Sequence, residues 1–305
     1  MNRIKALVEQ AKLRLERARA DHDVVDIAVR TFKRYGDDDG GPLAAGLTYF
    51  TFFSFFPLLM LGVAILGFVT AGDPVLRQEI IDNAFDAVPM IRDSLIPPGL
   101  DEIIEKRQEI AGIGLLLAVY AGSGAVVALE HALNRIYRVE AEGNWFQKRL
   151  KSLLWLGVLG GLVLASLAAS TISNWSKQIF DFLEPLGDLM PVIIFAILGI
   201  AISTVAFAAA YKFLPKRAAG WREVLPGALV GAIAFEILKY AGTFYVERGK
   251  DARNATFGVF ATAATLLVVA YLMSQLTLLC AELNAVLAER RLTRQSQVTK
   301  EGGPE

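Results

Sequence analysis

Residues 254–281 read NATFGVFATAATLLVVAYLMSQLTLLCA, twenty-eight consecutive positions without one Asp, Glu, Lys or Arg. Crossing ~30 Å of hydrocarbon takes roughly 20 helical residues, and a helix satisfies all its backbone donors and acceptors within one segment there. The run therefore reads as a membrane-spanning helix. Working outward from it, four more uncharged runs occupy 40–72, 110–129, 152–176 and 189–211. A sixth run, 224–246, is long and apolar enough but carries Glu236 and Lys239. The chain of 305 residues is 54% hydrophobic. Soluble domains are about 45–50% apolar, so lipid is the solvent this composition fits.

The expected architecture is all-α and polytopic. Six transmembrane helices lie at about 43–70, 110–130, 152–175, 189–211, 224–246 and 256–281, within a membrane domain spanning 40–288. A cytoplasmic basic segment, 1–39, precedes it, and a polar tail, 289–305, expected to be disordered, follows. Basic residues are retained on the cytoplasmic side, which sets orientation. Six spans put 22 Lys and Arg on the side of the two termini and 8 on the other, so both termini read as cytoplasmic. All four tryptophans, Trp145, Trp155, Trp175 and Trp221, fall at or near expected span ends, where amphipathic rings prefer the headgroup region. The first 23 residues are charge-rich without an apolar core, so no cleaved signal peptide is expected there.

Two segments do not span. In VVDIAVRTFKRY (24–35), Val24, Ala28, Phe32 and Tyr35 form one apolar stripe with Arg30, Lys33 and Arg34 off it, the pattern of a helix lying in the membrane interface. The loop 73–109 interleaves nine acidic and four basic residues with isoleucines and breaks at Pro97-Pro98-Gly99. It is expected to form two short amphipathic helices on the outer side.

Thirty-one basic residues balance thirty-one acidic ones, so no global field recruits nucleic acid. Glu236 and Lys239 stand three residues apart on one helical face, extended by Tyr240 and Thr243, near the expected bilayer midplane. A charge there costs about 2.5–3.5 kcal/mol on insertion scales and usually faces a bundle interior or wet cavity. The pair is either part of a substrate pathway or a self-neutralising packing contact. Tyr271, Gln275, Leu278 and Glu282 make a second stripe on the sixth helix, and Glu130 and Asn134 share a face at the end of the second. Together they could line a cavity open to the cytoplasm, although acidic span ends are often only solvated. Tyr49, Ser54 and Pro57, with Thr48 and Thr51, lie in an otherwise apolar first helix, where Pro57 removes one backbone hydrogen bond. Their hydroxyls serve either a pathway or packing. Gly157 with Gly161, and Gly227 with Gly231, allow close helix approach within the monomer or in a homo-oligomer.

Catalytic patterns are missing from the sequence. Its two histidines, His22 and His131, have no metal-ligand spacing, and no nucleophile elbow or phosphate-binding loop occurs. The single Cys280 excludes an intrachain disulfide. No metal, cofactor or enzymatic activity is expected.

Four stretches, 41–59 (GPLAAGLTYFTFFSFFPLL), 121–150, 221–245 and 257–287 with its LLCAELNA ending, resemble the YihY/virulence factor BrkB family of bacterial inner-membrane proteins. Where that family usually has Gly, this chain has Cys280, still a small residue. The resemblance implies a multi-pass inner-membrane protein similar to transporters that move lipids or lipid-linked anions. It transfers no catalytic residue; Asn284 joins the positions above only as a polar part of the last motif. An older ribonuclease label also travels with the family, and the lack of a carboxylate-histidine cluster argues against it here. The expectation is a transporter or flippase-like protein for an amphipathic or anionic substrate, with membrane lipids as partners. The alternatives are a non-transporting envelope-assembly scaffold and a passive channel.

Overall fold

The structure, a computed structural model, describes residues 9, 13, 14, 16–69, 107–140, 149–158, 189–238 and 260–301. Among these residues every regular element is a helix: after a helical stretch at 16–21 come α1 (Asp23–Asp37), α2 (Gly40–Val69), α3 (Arg107–Ile136), α4 (149–158), α5 (Leu189–Phe213), α6 (221–238) and α7 (Phe260–Glu301). Two described stretches, Leu115–Ile136 and Ala263–Gln297, are long and apolar enough to cross a membrane, and Ile197–Phe213 is a shorter apolar helix. The expected outer loop up to residue 106, most of the third span, and Lys239, Tyr240, Thr243 and Gly161 lie outside the described residues.

The α1 helix follows from its charge placement. Asp23 and Asp26 sit in the first turn and Arg34 in the last, each complementing the helix dipole. Its polar face is turned inward: Asp26 and Thr31 are buried, whereas Val24 is 77% and Phe32 65% exposed. Asp38 and Asp39 turn the chain into α2, with Asp39 at φ 58°. Gly40 is required there, because a Cβ would meet the Tyr35 ring at 2.4 Å. The α2 helix then continues through Pro57 without a break.

The core sits where the helix ends converge, around Leu133, Ile136, Tyr211, Leu214, Val224 and Leu278. Helix α3 packs along α2, and α7 packs on both and on α1. Trp155 is buried in this core beside Phe213, whereas Trp221 is half exposed with Lys212 Nζ 4.5 Å above its ring.

The C-terminal segment differs from its expected disorder, since α7 remains helical through Glu301. At ~1.5 Å per residue its 42 residues run about 63 Å, twice the hydrocarbon thickness. The extension is held by charge. Arg290 pairs with Asp23 at 2.9 Å and with Asp26 at 3.3 Å, and Arg294 reaches Asp23 at 3.4 Å. Ala, Leu, Glu and Arg at 285–292 are strong helix formers. The low hydropathy of the tail suggested disorder only because its partners lie more than 260 residues away.

Candidate functional site: buried charges at the helix ends

Arg34 organises the first cluster. Its Nε is 2.9 Å from Glu282 Oε2 and 3.5 Å from Asp38 Oδ2, its Nη1 meets Glu289, and its Nη2 donates to the Ile136 carbonyl at 2.9 Å. One side chain thus ties α1 to the C-terminus of α3 and to the middle of α7. Arg34 is 11% exposed and Glu282 0%, and among the described residues no other cation pairs with Glu282. Burial works against the guanidinium charge, but Glu289, Glu282 and Asp38 outweigh it and hold the Arg34 pKa above its ordinary value.

Asn284, two residues along α7, secures α6. Its Oδ1 accepts the Gly227 N–H at 2.7 Å and its Nδ2 donates to the Val224 carbonyl at 3.1 Å. A Cβ at Gly227 would lie 2.3 Å from the Cys280 carbonyl oxygen, so glycine is the residue that permits this approach. Pro226 has no N–H, which leaves the Arg222 carbonyl without its helical donor, and Arg291 Nη1 occupies it at 2.8 Å.

Glu130 and Asn134 do fall together, with His131, along a groove of about 380 Å³ between α2 and α3. Glu130 is buried and 3.7 Å from Lys151 Nζ, which also donates to the Leu214 carbonyl at 2.7 Å. Asn134 Oδ1 accepts the Lys216 N–H at 2.8 Å. Glu282 is not among the residues that line this groove. Each is buried against its own cation, Glu130 against Lys151 and Glu282 against Arg34.

Glu236 lies on α6, 9% exposed, turned toward α5; a Cβ on Gly199 would come within 3.1 Å of its Oε1. Gln275 is half-buried on α7. On α2, Ser54 is buried and donates to the Thr51 carbonyl at 2.9 Å, Pro57 is half-buried, and Tyr49 is exposed. Thr48 donates to the Ala44 carbonyl at 2.6 Å and meets Ser274 Oγ at 3.2 Å. Among the described residues no His, Cys, Asp and Glu group could hold a metal ion.

Sequence reading missed Arg34, Lys151 and Arg149. A signal for Arg34 existed, since Asp23, Asp26, Arg30 and Arg34 share one face of α1, and a charged face opposite an apolar one needs a partner. Arg149 and Lys151 gave none, being two among five loop cations.

The apolar helices fit a helical membrane protein. The chain belongs to the virulence factor BrkB family, whose profile matches residues 31–303. It is 26% identical over 273 residues to the UPF0761 membrane protein Nmul_A0452 of Nitrosospira multiformis, covering 88% of this chain and 62% of that one. It is 26% identical over 274 residues to the inner membrane protein YhjD of Escherichia coli, covering 85% and 80%. A relative in Bacillus subtilis, YfkH, is named ribonuclease-like and is 24% identical over 264 residues, covering 85% and 94%. No solved structure matches the chain.

Proposed function

We propose that this membrane protein moves an amphipathic, anionic, lipid-like substrate across the bacterial inner membrane. In this reading it is a six-span bundle with both termini cytoplasmic and has no catalytic chemistry of its own. The observation that carries it is Glu236: an acid in an apolar helix, buried against α5 rather than facing lipid. Intramembrane acids that face a bundle interior are costly to insert and mark pathways by default. The names of the relatives YhjD and Nmul_A0452 support the membrane setting.

The test is transbilayer movement of fluorescent phosphatidylglycerol in proteoliposomes, comparing the wild type with Glu236→Gln/Lys239→Met. A transporter keeps its thermal unfolding profile in the double variant and loses flux, whereas unchanged flux sinks the reading. One observation favours the scaffold alternative: Glu130, Asn134, Glu282 and Asn284 are all committed to partners, as in a static joint. A scaffold gives no flux above protein-free vesicles in either form.

A further inference from the structure

Around Arg34 the buried charges do not balance. Arg34 is 11% exposed, Asp38 15% and Glu282 0%, which sets one cation against two carboxyl groups largely withdrawn from water. The Arg34 Nε carries a single N–H, which serves at most one of Glu282 Oε2 at 2.9 Å and Asp38 Oδ2 at 3.5 Å. Its Nη1 and Nη2 are engaged by Glu289 and by the Ile136 carbonyl. Glu282 Oε1 is buried without a hydrogen-bond partner among the described residues, and Asp38 Oδ2 likewise has none. Yet the two carboxyl groups lie within hydrogen-bond reach of each other. Two carboxylates so placed only repel. One proton between them turns the contact into a charge-assisted hydrogen bond and leaves a single negative charge for Arg34 to neutralise.

The surroundings do not supply the missing positive charge. Arg138 stands 3.8 Å from Asp38 Oδ1 but is exposed, so water screens it. Arg135 donates to the Asp38 backbone carbonyl at 3.3 Å and pairs through its guanidinium with Asp39. On α7, Glu289 is exposed and brings Arg34 a further acid. The Tyr137 hydroxyl faces Glu282 as a neutral group, with Arg217 and Glu223 beyond it. A metal ion in the gap would meet the guanidinium that already stands 2.9 Å from Glu282.

We infer that Asp38 and Glu282 form a proton-binding site that holds one exchangeable proton between their carboxyl groups at neutral pH. Isolated aspartate and glutamate are ionised at about pH 7, so the proton is a property of the pair, which titrates as one unit. Asp38 is the partly exposed member and lies in the turn before α2, so water reaches the proton through Asp38 rather than through Glu282. Proton binding here stands with or without movement of lipid.

The experiment is infrared difference spectroscopy of the full chain in bicelles, reading the C=O stretch of a protonated carboxyl group, a band that carboxylates lack. The wild type at neutral pH shows a band that shifts in heavy water and disappears in alkali. That band is lost from Asp38→Asn and from Glu282→Gln alike, because the carboxylate that remains has Arg34 to itself and ionises. Glu289→Gln, at an exposed position, keeps it. A band kept in either Asp38→Asn or Glu282→Gln overturns the inference, since one residue then holds the proton alone. Absence of the band from the wild type, or its appearance only when sodium is withdrawn, overturns it too. If Glu282→Gln fails to fold, Asp38→Asn decides. If both fail, the wild type with heavy carbon in its aspartates alone decides: a band that moves supports the shared proton, and an unmoved band overturns it.

Discussion

Replacing Arg34 by Met should be among the most damaging single substitutions outside the core, and its cost can be worked from the contacts. The change leaves Glu282, with no exposed surface, without its one described cation, and leaves the Ile136 carbonyl without the Arg34 donor. Breaking a buried pair from one side costs about 3–5 kcal/mol. Glu282→Gln is milder, about 1–2 kcal/mol, because the guanidinium keeps Asp38, Glu289 and the Ile136 carbonyl. The double variant Arg34→Met/Glu282→Gln removes the stranded charge and should be more stable than Arg34→Met alone by about 1–3 kcal/mol. Reversible unfolding in bicelles, with all four proteins under one condition, measures the cycle. Additivity of the two single costs to within about 0.5 kcal/mol would refute the reasoning, since the residues would then not be coupled.

Gly227→Ala should destabilise severely, with loss of monodisperse protein, because the new Cβ meets the Cys280 carbonyl; Gly41→Ala, in open space within α2, should gain up to about 1 kcal/mol in the same assay. A spin label at Phe32→Cys, in a background with Cys280→Ala, should be reached by oxygen more readily than by a nickel chelate, as an exposed apolar face at the membrane interface would be; the opposite order would place that face in water. The same label reports pH. Burial raises the Asp26 pKa, but hydrogen bonds and charge from Arg19 and Arg30 outweigh it and hold it below the ordinary aspartate value. The contribution of Asp26 to α1 docking is therefore complete above about pH 4 and lost as pH falls through the depressed pKa. Label mobility should stay flat from about pH 5 to 8 and rise only in stronger acid, and Asp26→Asn should remove that rise.

How far the sequence could be read depended on the distance over which each signal acts. The apolar runs declared helices outright, and the helical positions of α2, α3, α5 and the membrane part of α7 match their runs. The amphipathicity of α1 was equally local, with its two faces legible from residues 23–35. Glu130 with Asn134 was legible as one turn of helix. What those residues bond to was not: Lys151, Lys216 and the Leu214 carbonyl come from three other parts of the chain. Arg34 with Glu282 and Asp26 with Arg290 are separated by some 250 residues, and no periodicity encodes that pairing. Arg149 Nη2 donates to the Tyr120 carbonyl at 3.1 Å, a contact between residues 29 apart that spacing does not encode.

The polar contacts that α7 makes with other helices reach back to residues made earlier. Arg34 leaves the ribosome 248 residues before Glu282. At ~5–20 residues per second it waits on the order of 10 to 50 s for its counter-charge, and the Arg222 carbonyl beside Pro226 waits more briefly for Arg291. Until then Arg34 has only the partners made early, Asp38 and the Ile136 carbonyl. Docking of α7 then supplies Glu282 and Glu289 to Arg34 in one step.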